Sequence, residues 1–341
     1  MRILSNLVLV LSVLIYTGCD DDPVQPPNIP DTSNKKVLVL NEGNFQRSNA
    51  SIGLFDPVLS TYEEKQFKQI NNRPIGDVLQ SASIIKGNYW FVVNNSGSIL
   101  VVDSSTLILK HVISNLTSPR YALYIPLTNK VWVSDLYSNE ISIIDADNLV
   151  KVGAIPFNGW SEQMQWIGAQ VGVTAPNSDK MYWLDATSGS IQDSIVVGYN
   201  VNSLVRHQNS LLALSAGRFA SNDTTAVTVV NENKEITKRI NLPTIRGASK
   251  LQVDSRTGNI YFLSKGVHYI NPATVEYEGK VLDLSEKEVY GMDINPVTGN
   301  IYISDVKDFL KRSTVYIYRS NFELKDSFDA GIITNAFLFR N

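Results

Sequence analysis

The stretch "VDSRTGNIYFLS" at 253–264 is nearly rewritten 41 residues later as "INPVTGNIYISD" at 294–305. Repetition at a fixed interval constrains a fold more than any single motif, because each copy must be one structural unit that buries its apolar face against the next. The shared position is a polar residue leading into a run of alternating apolar side chains. It recurs at Asn88 in "GNYWFVVNN", Asn129 in "TNKVWVSD", Gln170 in "AQVGVTAP", Asn209 in "QNSLLALSAG", Asn259 and Asn300. The spacings are 41, 41, 39, 50 and 41 residues. A further copy, "NKKVLVLNEGN", starts near Lys35 and brings the number to seven.

Each copy carries more alternating runs, such as "EISIID", "AVTVVN" and "STVYIYR", joined by Asn, Asp, Ser and Gly turns. Alternation of this kind marks half-buried strands. About 40 residues holding four short strands is the period of a β-propeller blade. The expectation is therefore an all-β, seven-bladed propeller of four-stranded antiparallel blades over 35–341. One further interval from Asn300 ends at Asn341, so "TNAFLFRN" is the strand that precedes a register residue. The N-terminal copy lacks such a strand. The C-terminal strand is expected to complete that first blade and close the ring, which removes exposed sheet edges.

The N-terminus reads differently. "MRILSNLVLVLSVLIYTGC" places Arg2 before an apolar run from Leu7 to Ile15, then Thr17, Gly18 and Cys19. A bilayer span needs roughly 20 apolar residues, so this run reads as a secretory signal over 1–18. Cys19 is the chain's one cysteine and cannot form an internal disulfide. Its place after Gly18 resembles a bacterial lipobox, with Tyr16 where Leu is usual; the resemblance implies cleavage before Cys19 and lipidation of that residue. An ordinary cleaved signal with an incidental cysteine is the plainer alternative. Asp20, Asp21 and Asp22 follow, and then "PVQPPNIPDTSN", a Pro-rich polar tether completing the segment 19–34.

Charge excludes one class of partner. With 30 Lys and Arg against 33 Asp and Glu, the net charge is −3, and no basic cluster is present. Nucleic-acid binding rests on clustered cations that neutralise phosphates. Linear catalytic motifs are missing too: there is no P-loop, no GxGxxG after a strand, no GxSxG and no CxxC. The three histidines, His111, His207 and His268, lack metal-ligand partners at short spacing. The sequence therefore reads as a binding protein with no cofactor and no metal, rather than an enzyme.

With strands lettered A to D from the channel outward, the "TGN" turns join A to B and mark a plain face. The B–C and D–A connections share the opposite face and vary in length and chemistry. Variable polar and aromatic loops on a rigid scaffold are where binding function is usually carried. From the B–C connections the candidates are Asn41, Asn44 and Phe45; Asn94 and Asn95; Asp135 and Tyr137; Arg218 and Phe219; Lys265; and Asp305, with Phe309 as a further ring. The D–A connections add Gln80, Arg120, Trp160, Glu162, Asn202, Arg246 and Tyr290. For Asn94, Asn95, Ser134, Asp135, Ser304 and Asp305 the plainer role is hydrogen bonding to the turn backbone.

The lipobox with its acidic run, the "VLVLNEGNF…ASIGLFDP" opening and the "NKVWVSD…ISIIDADNLVKVGAI" blade resemble the YncE-like surface propellers of Bacteroidetes. That group includes lipoproteins that capture vitamin B12 and pass it to a TonB-dependent outer-membrane transporter. The resemblance implies an outer-membrane lipoprotein exposed on the cell surface, held by its lipid anchor alone. It implies a small-molecule nutrient as ligand, a corrinoid first, and a TonB-dependent receptor as partner. A glycan-binding or protein-interaction propeller stays open, as does a lyase or glycan-degrading enzyme using top-face acids such as Glu162 or Asp305.

Overall fold

The computed structural model describes residues 36–218 and 223–339. The signal segment, Cys19, its tether and Phe219 lie outside these residues. Each register residue opens a strand or stands just before one: Asn88 begins Asn88–Val93, Gln170 begins Gln170–Thr174, and Asn300 precedes Ile301–Asp305. The strands form seven four-stranded sheets arranged as propeller blades. The innermost strands are Leu79–Ile85, Pro119–Ile125, Met164–Ile167, Val201–His207, Ser249–Val253, Val289–Ile294 and, from the far end of the chain, Thr334–Phe339. The last of these pairs antiparallel with Val37–Asn41, Val37 opposite Phe339 and Val39 opposite Phe337. Ring closure by the C-terminal strand is thus as the repeat implied.

The second strands of the blades are not half-buried, as alternation suggested, but buried on both faces, while third strands such as Lys180–Asp185 and Arg312–Tyr318 keep the alternation. Val37–Asn41 is buried throughout, whereas the outer strand Ile191–Val196 is largely exposed. The reason is that neighbouring blades cover both faces of each inner sheet. Alternate residues therefore face alternate neighbours: Leu38 and Leu40 pack with Tyr89 and Phe91 of the second blade, Val37 and Val39 with Val315 and Ile317 of the seventh. Full burial of such a side chain stabilises by about 1.5–3 kcal/mol, so the strength of the ring lies between blades.

The opening repeat is the A–B turn. Gly258 and Gly299 take φ of +78° and +70° there, which a glycine adopts without steric cost. Asp254 and Asn295 accept backbone N–H bonds from Arg256 and Val297 respectively, closing the turn from its first residue.

Candidate functional site at the channel mouth

The innermost strands do not run straight to the mouth. Against its neighbour, each of six carries one extra residue near its first position, with register breaks at Leu79/Ser81, Pro119/Ala122, Val201/Ser203, Ser249/Gln252, Val289/Met292 and around Asn335. In the seventh, the N–H of Glu162 donates to the Thr174 carbonyl at 3.0 Å, and the Thr174 N–H donates to that of Gln163 at 2.9 Å. That again sets two residues against one. A bulge of this type re-aims a side chain, and here it repeats around the ring. Gln80, Arg120, Glu162, Asn202, Lys250, Tyr290 and Asn335 all stand at these bulges.

Hydroxyls at the end of strand B hold several bulges. Ser134 Oγ accepts the Tyr121 N–H at 3.1 Å, Thr174 Oγ1 that of Gln163 at 3.0 Å, and Ser304 Oγ that of Gly291 at 2.8 Å. The "SD" pairs therefore divide their work. The serine pins the bulge, while the aspartate accepts the loop backbone: Asp135 takes the N–H groups of Tyr137 and Ser138, and Asp305 that of Lys307.

Two polar groups meet at the mouth. Arg120 forms a two-bond fork with Glu162, Nε to Oε2 at 2.7 Å and Nη2 to Oε1 at 2.8 Å, and Nη1 donates to Gln80 Oε1. Planar guanidinium and carboxylate match in this geometry. Nearby, Glu42 accepts from the Tyr290 hydroxyl at 3.1 Å and from Asn335 Nδ2 at 2.9 Å, while Lys250 Nζ donates to the Asn335 carbonyl at 2.8 Å. Glu42 is part-buried. Burial pushes its carboxyl up, against the pull of Lys250 and the bonds from Asn335 and Tyr290. The Tyr290 phenol is raised by burial and by the Glu42 charge. Deeper in the channel Asp293 accepts the Phe337 N–H at 2.8 Å and Gln252 Nε2 at 2.9 Å. Burial raises its carboxyl to about 6, with the Lys250 charge opposing.

Aromatic rings flank this polar floor. Tyr137, 59% exposed, meets Trp160, 38% exposed, edge to face at 5.6 Å. Phe309 meets Tyr290 in the same manner at 5.7 Å, and Asn44 Nδ2 donates to the Phe309 carbonyl at 2.6 Å, tying the Phe45 loop to it. Phe45 is 63% exposed and Leu310 72%. Tyr137 and Trp160 belong to the loops where the third blade meets the fourth; Phe45 and Phe309 belong to the first and seventh. In a ring of seven these positions lie nearly opposite one another.

Other expected residues stand elsewhere. Asn41 is fully buried; it donates to the Ser51 carbonyl and accepts from Gly331 N at 3.0 Å and Thr334 Oγ1 at 2.6 Å. It secures ring closure and does not face the mouth. Asn94 Nδ2 bonds Ser118 Oγ and the Pro119 carbonyl, and Asn95 Nδ2 donates to Asp77, so both brace loops. Asn202 donates to the Ala248 carbonyl, and Arg246 to those of Pro243 and Ile245. Arg218 pairs with Asp223 at 3.0 Å and lies over the Tyr199 ring at 4.4 Å, and Lys265 is an exposed turn residue. His207 and His268 bond backbone carbonyls of Pro272 and Ser264, in keeping with structural roles. No group of three His, Cys, Asp or Glu among the described residues is placed to hold a metal.

The candidates drawn from sequence do not include Glu42, Tyr121, Lys250, Asp293 and Asn335. A signal existed for two of them. The strand openings "LQSAS", "PRYAL", "VNSLV", "SKLQV", "VYGMD" and "TNAFL" all have a polar or aromatic second residue. Lys250 and Asn335 hold that position, but A–B turns of unequal length hide it when counting from the register Asn.

A family profile described as "Domain of unknown function (DUF5074)" matches residues 35–330. The chain belongs to the DUF5074 family. None of the curated proteins compared with it matches in sequence. Among solved structures it is similar to a quinonprotein alcohol dehydrogenase-like protein from Bacteroides thetaiotaomicron, with 14% identity and a TM-score of 0.72 over 91% of this chain and 79% of that one. A protein from Lactobacillus plantarum is 12% identical, with a TM-score of 0.67 over 90% of this chain and 99% of that one. The WD40 domain of Neurospora crassa Pan2 is 14% identical, with a TM-score of 0.59 over 81% and 84%. At such identities the likeness speaks for the fold alone.

Proposed function

We propose that the protein is a ligand-capture lipoprotein of the cell surface that takes up a small-molecule nutrient, a corrinoid first among candidates, for a TonB-dependent outer-membrane transporter. The observation that carries this reading is the two aromatic knobs, Tyr137 against Trp160 and Phe309 against Tyr290 with the Phe45 loop bonded beside it, on opposite sides of a mouth floored by Arg120, Glu162, Gln80 and Glu42. A broad ligand with apolar faces and an amide fringe would span the knobs and bond to the floor. Sites of this kind combine apolar contact with a few placed polar groups. A corrinoid is such a ligand. Exposed rings in polar loops are a poor choice for a core and a good one for binding. The protein acts here as a binder, not an enzyme, held at the outer membrane through lipidated Cys19.

Calorimetry with cyanocobalamin tests the ligand. The expected result is saturable heat and an absorbance shift at micromolar ligand, weakened about tenfold or more by Trp160→Ala, since loss of a central aromatic anchor commonly costs over 1 kcal/mol. Absence of both signals would remove the corrinoid from the reading, and a panel of surface glycans would then be titrated in its place.

A further inference from the structure

A cleft of about 250 Å³ opens on the loop-bearing face at the sixth blade. Three successive connections line it. Arg246 and Gly247 come from the loop ahead of Ser249–Val253, Lys265 from the turn between Ile260–Leu263 and Gly266–Ile270, and Lys287 and Glu288 from the loop ahead of Val289–Ile294. Three cations thus share one cleft with one carboxylate, and none of the three forms an ion pair with a described carboxylate. Neutral groups hold two of them instead. Arg246 Nη1 donates to the carbonyls of Pro243 at 2.7 Å and Ile245 at 3.1 Å. Its Nε and Nη2, the edge of a guanidinium that meets two oxygens side by side, donate to no described group. Lys287 Nζ donates to the Tyr316 hydroxyl at 3.3 Å and stands 4.4 Å from that ring's centroid. Carbonyls and a phenol fix a cation in place without cancelling its charge. Ser264 Oγ donates to the Arg246 carbonyl at 2.7 Å, tying two of the connections together. The Ser249 hydroxyl, also in the lining, bonds to no described group. Asp283, close by in the chain, is taken by Lys280 at 2.9 Å.

We propose that this cleft binds a phosphate monoester, met by the free edge of Arg246 and the ammonium groups of Lys265 and Lys287, with the Ser249 hydroxyl as a neutral donor. A phosphate monoester carries about −1.5 to −2 charge at neutral pH and three strong acceptor oxygens. That matches three cations less the one charge of Glu288. Glu288 is exposed and solvated, so it offsets at most one of them. A carboxylate brings a single charge and two oxygens in one plane, and would leave a cation unanswered. A neutral sugar would bond to the serines and leave every cation so. None of the cleft's residues belongs to the mouth's polar floor or its aromatic knobs. The site therefore stands independently of the capture reading.

The purified protein is titrated with propyl phosphate, and separately with sodium butyrate, sodium chloride and 1-propanol at matched ionic strength. Phosphatidylcholine vesicles with and without phosphatidic acid present the same group on a lipid. Saturable heat with propyl phosphate is expected, and none with butyrate, chloride or propanol. Arg246→Gln should weaken binding about tenfold or more, the scale of a lost charge-assisted pair of hydrogen bonds. Lys265→Gln should weaken it less, because water screens an exposed charge. Lys325→Gln removes an exposed lysine without an ion pair on the outer strand of the seventh blade and should change nothing. Binding to phosphatidic acid vesicles alone, lost in Arg246→Gln, would uphold the site and assign its phosphate to a lipid headgroup. Butyrate binding as tightly, a saturable response to chloride, or equal weakening by Lys325→Gln would overturn the proposal, as would no response to either phosphate probe. The comparison of phosphate with butyrate uses the unaltered protein, so it decides even where a substitution prevents folding. Cyanocobalamin is titrated separately, so either reading can fail without the other.

Discussion

At the scale of single residues, Asn41 shows how a polar side chain expected to meet ligand becomes a fastener. Its amide joins the first blade's second strand to Gly331 and Thr334, nearly three hundred positions on in the chain. Replacement by leucine would leave the Gly331 N–H and the Thr334 hydroxyl without their partner. Each buried unsatisfied group costs about 1–3 kcal/mol, so Asn41→Leu should lower unfolding stability by about 2–4 kcal/mol, measured by urea denaturation. An unchanged midpoint would contradict this role. Asp293 gives a dependence on pH. Its folded carboxyl sits at about 6 against an ordinary 3.8, so the folded chain holds the proton more tightly. That contribution is present below pH 4 and fades as pH rises through 6, the reverse of the usual carboxylate. The loss is at most about 3 kcal/mol, at 1.36 kcal/mol per pKa unit. Between pH 5 and pH 8 the wild type should lose more stability than Asp293→Asn, which has no proton to release there; equal losses would contradict the assignment.

Strands and turns form the next scale, and here the bulge is the device that matters. A straight inner strand would point alternate residues at the channel and at the neighbouring blade. One inserted residue near the mouth breaks that alternation and delivers Arg120, Lys250, Tyr290 and Asn335 to a common floor. Where a hydroxyl stands behind the bulge it is part of the device. Ser304 accepts the Gly291 N–H at 2.8 Å and donates to the Thr334 carbonyl at 2.6 Å, so it holds two inner strands together. Ser304→Ala should cost about 1–3 kcal/mol, the penalty of a buried group left unpaired. It should also loosen the Tyr290–Glu42 contact, visible as faster amide exchange at Gly291. Exchange unchanged at that position would show that the hydroxyl does not hold the bulge. The sequence offered "VWVSD" and "IYISD" as turn-forming pairs; only pairing across the sheet shows that the serine and aspartate serve different elements.

For the whole molecule, closure is the governing fact. Each blade buries both faces of its inner strands against neighbours, so no blade holds its core alone. Removing residues 334–341 would leave the first blade without its inner strand and expose the edge of Val37–Asn41. It would also strip Asn41 and Glu42 of partners. Such a chain should lose its single cooperative melt and aggregate, as exposed edges do, followed by circular dichroism and light scattering. A sharp transition at the wild-type temperature would show that six blades and a remnant suffice. The mouth is likewise a property of the ring, because its floor draws residues from near both ends of the chain.

The sequence by itself determined the number of blades, their four strands, the closing strand and the face on which loops vary. Those follow from the period, and a period survives because every blade solves the same packing problem. It also placed Gln80, Arg120, Glu162 and Tyr290 at the mouth and picked out the exposed rings. Only the tertiary structure decided that Asn41 is interior, that Ser134 and Ser304 pin bulges, and that Glu42, Lys250 and Asn335 meet. Those outcomes depend on one-residue bulges and on contacts across the channel between strands far apart in sequence. A single inserted residue moves a side chain from one environment to another while leaving the repeat intact.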